Sequence, residues 1–252
     1  MTGRDATVLV TGASRGIGAA TALRLAAAGF DLVLWARTCE ELQEVGEKAA
    51  AFGGSVAVRA VDVSDAGQVA AGYAALDRQS PLAGLVLNAG SGRWQQITEI
   101  EDAVWDRTLA TNLRGSMLVL RQLLPRLQAR PGALVVGVLS DSARYPFPGR
   151  AAYAASKAGL AALLEVARRE TRSAGVRITA LLPSRVDTAF QGSLAEAAAG
   201  CRPGSLSADE VAEVIGWLFE LPPGIEVREL QLAALTSSFG PYDEVLSQEV
   251  PW

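Results

Sequence analysis

The chain has 252 residues, 50% hydrophobic and 20% charged, with a net charge of −4; this is apolar material enough for a substantial core, and the acidic balance excludes a nucleic-acid surface, which needs a basic stripe. It holds no histidine and two cysteines, Cys39 and Cys201. Disulfide frameworks, thiolate zinc sites and most transition-metal sites are thereby excluded, and proton transfer near neutral pH has to use some other side chain.

The first residues enter an apolar strand with no basic-then-apolar leader, and no apolar run approaches the roughly 20 residues of a membrane span, so a soluble, cytoplasmic protein without membrane or nucleic-acid partners is expected. Predicted strands cover 7–11, 31–36, 55–60, 84–88, 133–139, 176–182 and 227–235. Predicted helices cover 16–28, 39–52, 65–77, 101–129, 152–174 and 208–220. Continuously apolar strands alternating with helices predict a parallel sheet covered on both faces. The expected fold is α/β: one doubly wound, Rossmann-type domain over 1–252 with a seven-stranded sheet. No repeat or linker divides it. Residues 184–207, rich in small residues and glycine, have no clear period and are expected to form a loop or lid over a site.

Between the first strand and first helix stands "TGASRGIG", with Gly12, Gly16 and Gly18. Glycine lets the backbone turn tightly and lets a phosphate approach main-chain N–H groups, and a helix N-terminus favours an anion. At the end of the second strand, dinucleotide folds usually carry an acid for the ribose hydroxyls. Here Ala36 and Arg37 stand instead, and Arg15 lies inside the glycine turn. Two guanidinium groups near a ribose point to a 2′-phosphate, hence NADP(H). In the helix 152–174, Tyr153 and Lys157 are spaced to share one face, one turn apart.

"TGASRGIG" (11–18), "NAG" (88–90), Asn112, Ser140 and "YAASK" (153–157), in this order, resemble the classical short-chain dehydrogenase/reductase family. The resemblance implies a catalytic set of Asn112, Ser140, Tyr153 and Lys157. Tyr153 would be the general acid in reduction and the base in oxidation. Ser140 would hold the carbonyl oxygen. Lys157 would bind the nicotinamide ribose beside the phenol, and Asn112 would hold a water linking Lys157 to solvent. The cofactor set would be Gly12, Ser14, Arg15, Gly16, Ile17, Gly18, Arg37, Asp62, Val63, Asn88, Ala89, Gly90, Pro183, Val186 and Thr188, together with Tyr153 and Lys157. Asp62 and Val63 would contact adenine, and Thr188 the nicotinamide amide. Ser91, Trp94, Ser142, Tyr145 and Phe190 are candidate substrate residues, with Arg93, Asp141, Phe147 and Arg185 nearby. Two departures stand out: Ser184 where the family has glycine, and no "DGG" after the last strand.

Without histidine, a tyrosine of ordinary pKa near ~10 needs a cation to bring it toward neutrality, and Lys157 is expected to be that cation. The expected activity is NADPH-dependent reduction of a ketone or aldehyde, or oxidation of the matching secondary alcohol. The alternative is a catalytically silent NADP(H)-binding sensor or scaffold of the same fold. Small residues on 152–174 (Ala154, Ala155, Ala158, Gly159, Ala162, Leu163, Val166), with the helix 101–129, predict a homodimer or homotetramer through close helix packing.

Overall fold

A computed structural model describes residues 6–77, 81–190 and 204–236. The strands are β1 (Thr7–Thr11), β2 (Asp31–Ala36), β3 (Val56–Ala60), β4 (Leu82–Leu87), β5 (Leu134–Val138), β6 (Arg177–Pro183), β7 (Val186–Asp187), β8 (Leu206–Ser207) and β9 (Glu229–Leu232). The helices are α1 (Gly16–Ala27), α2 (Cys39–Ala50), α3 (Ala66–Ala74), α4 (Asp102–Leu109), α5 (Ser116–Gln128), α6 (Ala151–Thr171) and α7 (Ala208–Glu220). Seven strands form one parallel sheet in the order β3-β2-β1-β4-β5-β6-β9.

Every residue of β4, β5 and β6 is buried, as strands covered on both faces require. Leu25, Leu42, Ile215 and Leu218, from α1, α2 and α7, join one apolar layer on the sheet. Val69, Leu123, Leu160 and Leu164, from α3, α5 and α6, join the other. Strand order reverses between β1 and β4, so connections leave toward opposite faces and a crevice opens at their carboxyl ends.

The predicted helix 101–129 is interrupted. Between α4 and α5 the chain makes a π turn over Ala110–Gly115, which carries Asn112. The last strand is shorter than predicted, Glu229–Leu232 against 227–235. In α6, Ala155, Ala158, Ala162 and Val166 face outward, whereas Ala154 is buried. Gly159 instead makes room for Leu113, whose Cδ2 would lie 2.9 Å from an added Cβ. Of the expected lid at 184–207, the two ends are described. β7 and β8 pair there in parallel, and Ser207 caps α7 in a reciprocal capping box with Glu210. Residues 191–203, with Cys201, and the tail 237–252 lie outside the described residues. Among those described, no helix is long and apolar enough to cross a membrane, and no cluster of candidate metal ligands occurs.

Candidate active site

The crevice is a cavity of about 440 Å³ running from the glycine turn to Tyr153 and Phe190. Its floor is set by glycines that cannot be replaced without a clash. Gly12 has φ +65, and an added Cβ would lie 2.8 Å from the Ala89 Cα. At Gly18 the same atom would lie 2.2 Å from the Gly12 carbonyl oxygen. Asn88 ties β4 to this turn: its amide Nδ2 donates to the carbonyls of Thr11 and Gly12, at 3.1 and 3.0 Å. The Thr11 hydroxyl oxygen accepts from the backbone N–H of both Asn88 and Ala89.

The first turn of α1 has neither a capping side chain nor an acidic residue. Its N–H groups and dipole are open to an anion from the cavity. Beyond them, Ala36 ends β2 buried, and Arg15 and Arg37 stand exposed on the same cavity wall. Asp62 lies on that wall too, its carboxylate accepting from the Ser64 N–H and hydroxyl at 2.9 and 2.7 Å. A cradle that a Cβ would fill, an open helix N-terminus and two guanidiniums without a competing acid at Ala36 fit a phosphorylated dinucleotide.

At the other end, α6 delivers Tyr153 and Lys157 into the cavity. Ser140, just past β5, accepts from the Ser142 N–H at 3.1 Å and donates to Asp141 Oδ1 at 2.9 Å. Ser140 is also a hydrogen-bonding neighbour of Tyr153, and that contact favours the ionised phenol. Three rings surround the reaction space. Trp94 meets Tyr153 edge-on at 5.3 Å and Phe190 meets it at 5.7 Å. Gly92 leaves space for them, since a Cβ there would lie 3.0 Å from Tyr153 Cδ2.

The electrostatics depart from expectation. Burial pushes the Tyr153 phenol up to about 12; the Ser140 hydrogen bond and Arg150 oppose this, and Asp141 adds to it. Lys157 does not pull it down. Its ammonium donates to the Val138 carbonyl at 2.7 Å and sits 5.7 Å from the Tyr153 ring centroid. Burial lowers Lys157 itself to about 8. One turn of helix brings the two residues together, but the lysine's hydrogen-bond partner here is the strand.

Asn112 is fully buried behind the cavity. Its amide donates to the Ser91 carbonyl and the Ser156 hydroxyl, at 2.8 and 2.9 Å, and its Oδ1 accepts from the Ser91 N–H. Both amide hydrogens are thus taken by protein, and the side chain braces the segment after Gly90 against α6 rather than offering them to a water. Gly90 fits beneath: a Cβ there would lie 3.4 Å from Asn112 Oδ1 and 3.5 Å from Lys157 Nζ.

Of the expected residues, Ser14, Gly16, Ile17, Val63, Ala89, Pro183, Val186 and Thr188 also line the cavity, as do Asp141 and Arg185. Gly18, Ser91, Ser142 and Tyr145 do not. Gly18 and Ser91 support the wall from behind. Ser142 is buried against Ser140, and the short turn Asp141–Ala143 sends Tyr145 to the surface. Arg93 faces outward near Glu101. The residue that sequence reasoning missed is Arg150, which lines the cavity beside Tyr153. A cation three positions before the tyrosine, on the same helical side, was the available signal.

A family profile described as short chain dehydrogenase matches residues 6–199. The chain is 34% identical over 229 residues to a glycine betaine reductase of Emericella nidulans, covering 88% of this chain and 18% of that protein. It is 34% identical to a sulfoacetaldehyde reductase of Chromohalobacter salexigens, over 89% of this chain and 92% of that one. An alcohol dehydrogenase of the archaeon Thermococcus sibiricus, solved with 5-hydroxy-NADP, superposes with a TM-score of 0.85 at 31% identity, covering 90% of this chain and 96% of the other.

Proposed function

Because the chain belongs to the short chain dehydrogenase family, an oxidoreductase family, we propose that it is an NADP(H)-dependent carbonyl reductase acting through Tyr153. The observation that carries this reading is the convergence of Tyr153, Ser140 and Lys157 on the same cavity as the glycine turn and Arg37. The cofactor's phosphates would rest on the first turn of α1, its 2′-phosphate between Arg15 and Arg37, and its nicotinamide near Thr188 and Lys157. The 5-hydroxy-NADP complexed with the Thermococcus sibiricus alcohol dehydrogenase supports that choice. When bound, the nicotinamide supplies the hydride.

The chain's own residues handle the proton. A carbonyl oxygen lodged between Ser140 and Tyr153 receives the phenol's proton as charge develops on it. A phenol held at about 12 is fully protonated at neutral pH, which suits a general acid and therefore the reductive direction. Asp141 contributes by holding the Ser140 hydroxyl and opposing phenol ionisation. Lys157 orients the cofactor ribose and keeps a positive charge at this end of the cavity. Residues 1–252 act as one dinucleotide-binding unit, assembling as a homodimer or homotetramer through α5 and the outward face of α6.

The test is Tyr153→Phe. It keeps the ring and its contacts with Trp94 and Phe190 and removes the hydroxyl. NADPH binding, followed by fluorescence, should persist while turnover of a ketone falls about 10²-fold or more. Near-normal turnover in that variant would refute the assignment.

A further inference from the structure

The catalytic end of the cavity carries a second cation besides Lys157. Arg150 is held by its backbone: the Gln95 N–H donates to the Gly149 carbonyl at 2.9 Å, and Gln95 and Arg150 form an isolated parallel bridge. The guanidinium then lies over the Trp94 ring at 4.7 Å and over Phe147 at 5.0 Å. Trp94 in turn touches Tyr153. Arg150 is therefore one ring away from the proton donor.

A guanidinium has five N–H donors in a fixed plane. Arg150 is half-buried, yet no side-chain hydrogen bond or ion pair from it occurs among the described residues. Asp141, whose charge favours the guanidinium, accepts the Ser140 and Ser142 hydroxyls on Oδ1 and makes no ion pair with Arg150. Burial lowers the Arg150 pKa; the charges of Asp141 and Tyr153 oppose this in part, and Arg185 adds to it. Around Tyr153 the described wall carries Lys157 and Arg150 beside one carboxylate, Asp141. A half-buried cation with no side-chain acceptor among the described residues favours an anionic ligand. The two aromatic rings hold the guanidinium on the cavity wall, where its planar fork suits a planar oxyanion.

We propose that the substrate is a compact oxo acid, a carbonyl compound carrying a carboxylate near its carbonyl group, and that Arg150 binds this carboxylate. The proposal rests on the reductase reading for the word substrate, but the carboxylate subsite stands on the Arg150 geometry alone. Trp94 and Phe190 then enclose the short carbon chain between the carboxylate and the carbonyl.

The experiment compares acids with their methyl esters, which have the same carbonyl and no charge: acetoacetate against methyl acetoacetate, and pyruvate against methyl pyruvate. NADPH-dependent kcat/KM is measured in wild type, Arg150→Met, which keeps the stacked aliphatic stem, and Arg150→Lys, which keeps the charge but loses the fork. Wild type should prefer the acid of at least one pair. Arg150→Met should reduce that preference by about 10- to 100-fold, the range of a charge-assisted contact, chiefly through KM; Arg150→Lys should fall between the two. Indifference of wild type, or an acid preference unchanged in Arg150→Met, overturns the proposal. Calorimetric titration of acetoacetate and methyl acetoacetate in the presence of NADP⁺ separates the two readings. If nothing is turned over but acetoacetate binds and the binding is lost in Arg150→Met, the reductase reading fails and the carboxylate subsite stands. If acetoacetate binds no better than its ester, the subsite itself is refuted.

Discussion

Replacing Lys157 by methionine should make the protein more stable at neutral pH while removing activity. Lys157 is 4% exposed, and burial alone holds its ammonium at about 8 against an ordinary 10.5. The unfolded chain thus binds this proton more tightly than the folded one. Below pH 8 both states are protonated and the full cost is present. Between pH 8 and 10.5 the folded protein releases the proton first, so stability rises with pH through that window. At 1.36 kcal/mol per pKa unit, the gap corresponds to about 3 kcal/mol withheld at pH 7. Methionine follows the path of the lysine stem but leaves the Val138 carbonyl without its donor, which costs about 1 kcal/mol. The net gain is about 2 kcal/mol, or about 4–8 °C in Tm for a chain of this size. Thermal melts of wild type and Lys157→Met at pH 7 and pH 10 test it, because other titrations cancel in the difference. The comparison stops at pH 10, since Tyr153, held up at about 12, loses its own stabilising contribution between 10 and 12. A less stable Lys157→Met at pH 7, or a difference that does not shrink by pH 10, would refute the reasoning. Stability gained as function is lost would mark Lys157 as a residue kept for chemistry.

Arg37→Ala should weaken NADPH binding by about 10- to 100-fold and leave NADH nearly unchanged, and Ala36→Asp should shift preference toward NADH; kcat/KM for both cofactors decides, and an equal loss on both would contradict the phosphate assignment. Asp141→Asn keeps an acceptor for the Ser140 hydroxyl but removes a charge that raises the Tyr153 pKa. The alkaline limb of the reduction rate should therefore move to lower pH, and an unmoved or raised limb would exclude Asp141 from this role. Light scattering at micromolar concentration should report a dimer or tetramer, and an arginine at exposed Ala158 should release monomers; a monomeric wild type would contradict the packing argument.

What was legible in the sequence is what local chemistry dictates. Apolar strands of five to seven residues between alanine-rich helices lead directly to the parallel sheet. The glycines at 12 and 18 announce a turn that no side chain could share. Tyr153 and Lys157 stand one helical turn apart wherever the helix goes. Less legible was which partner each group would choose in three dimensions. "ATNLRG" reads as ordinary helix, and its π turn arises from tertiary demand: Asn112 must reach Ser91 while Leu118, Leu123 and Leu127 still face the sheet. A π turn adds a residue to the coil and lets the two faces fall out of phase. The same limit governs Lys157, whose spacing predicts a neighbour but not that the Val138 carbonyl lies closer to hand.

Arg150 is the sharper case. In sequence it is one arginine in "PGRAAY", marked only by its place three positions before Tyr153. Its meaning comes from two aromatic residues: distant Trp94, brought in by the Gln95 bridge, and Phe147, three positions earlier in the same turn. The Trp94 contact is neither periodic nor a motif, because a cavity wall is assembled from different elements and the spacing between them is set by the sheet. The glycine turn and the Tyr–Lys pair are short enough to be read as strings. Substrate choice resides in residues that become neighbours only after folding. The glycine turn and the Tyr–Lys pair are disclosed by the sequence, and the guanidinium beside the proton donor, with no side-chain hydrogen bond among the described residues, is disclosed by its packing.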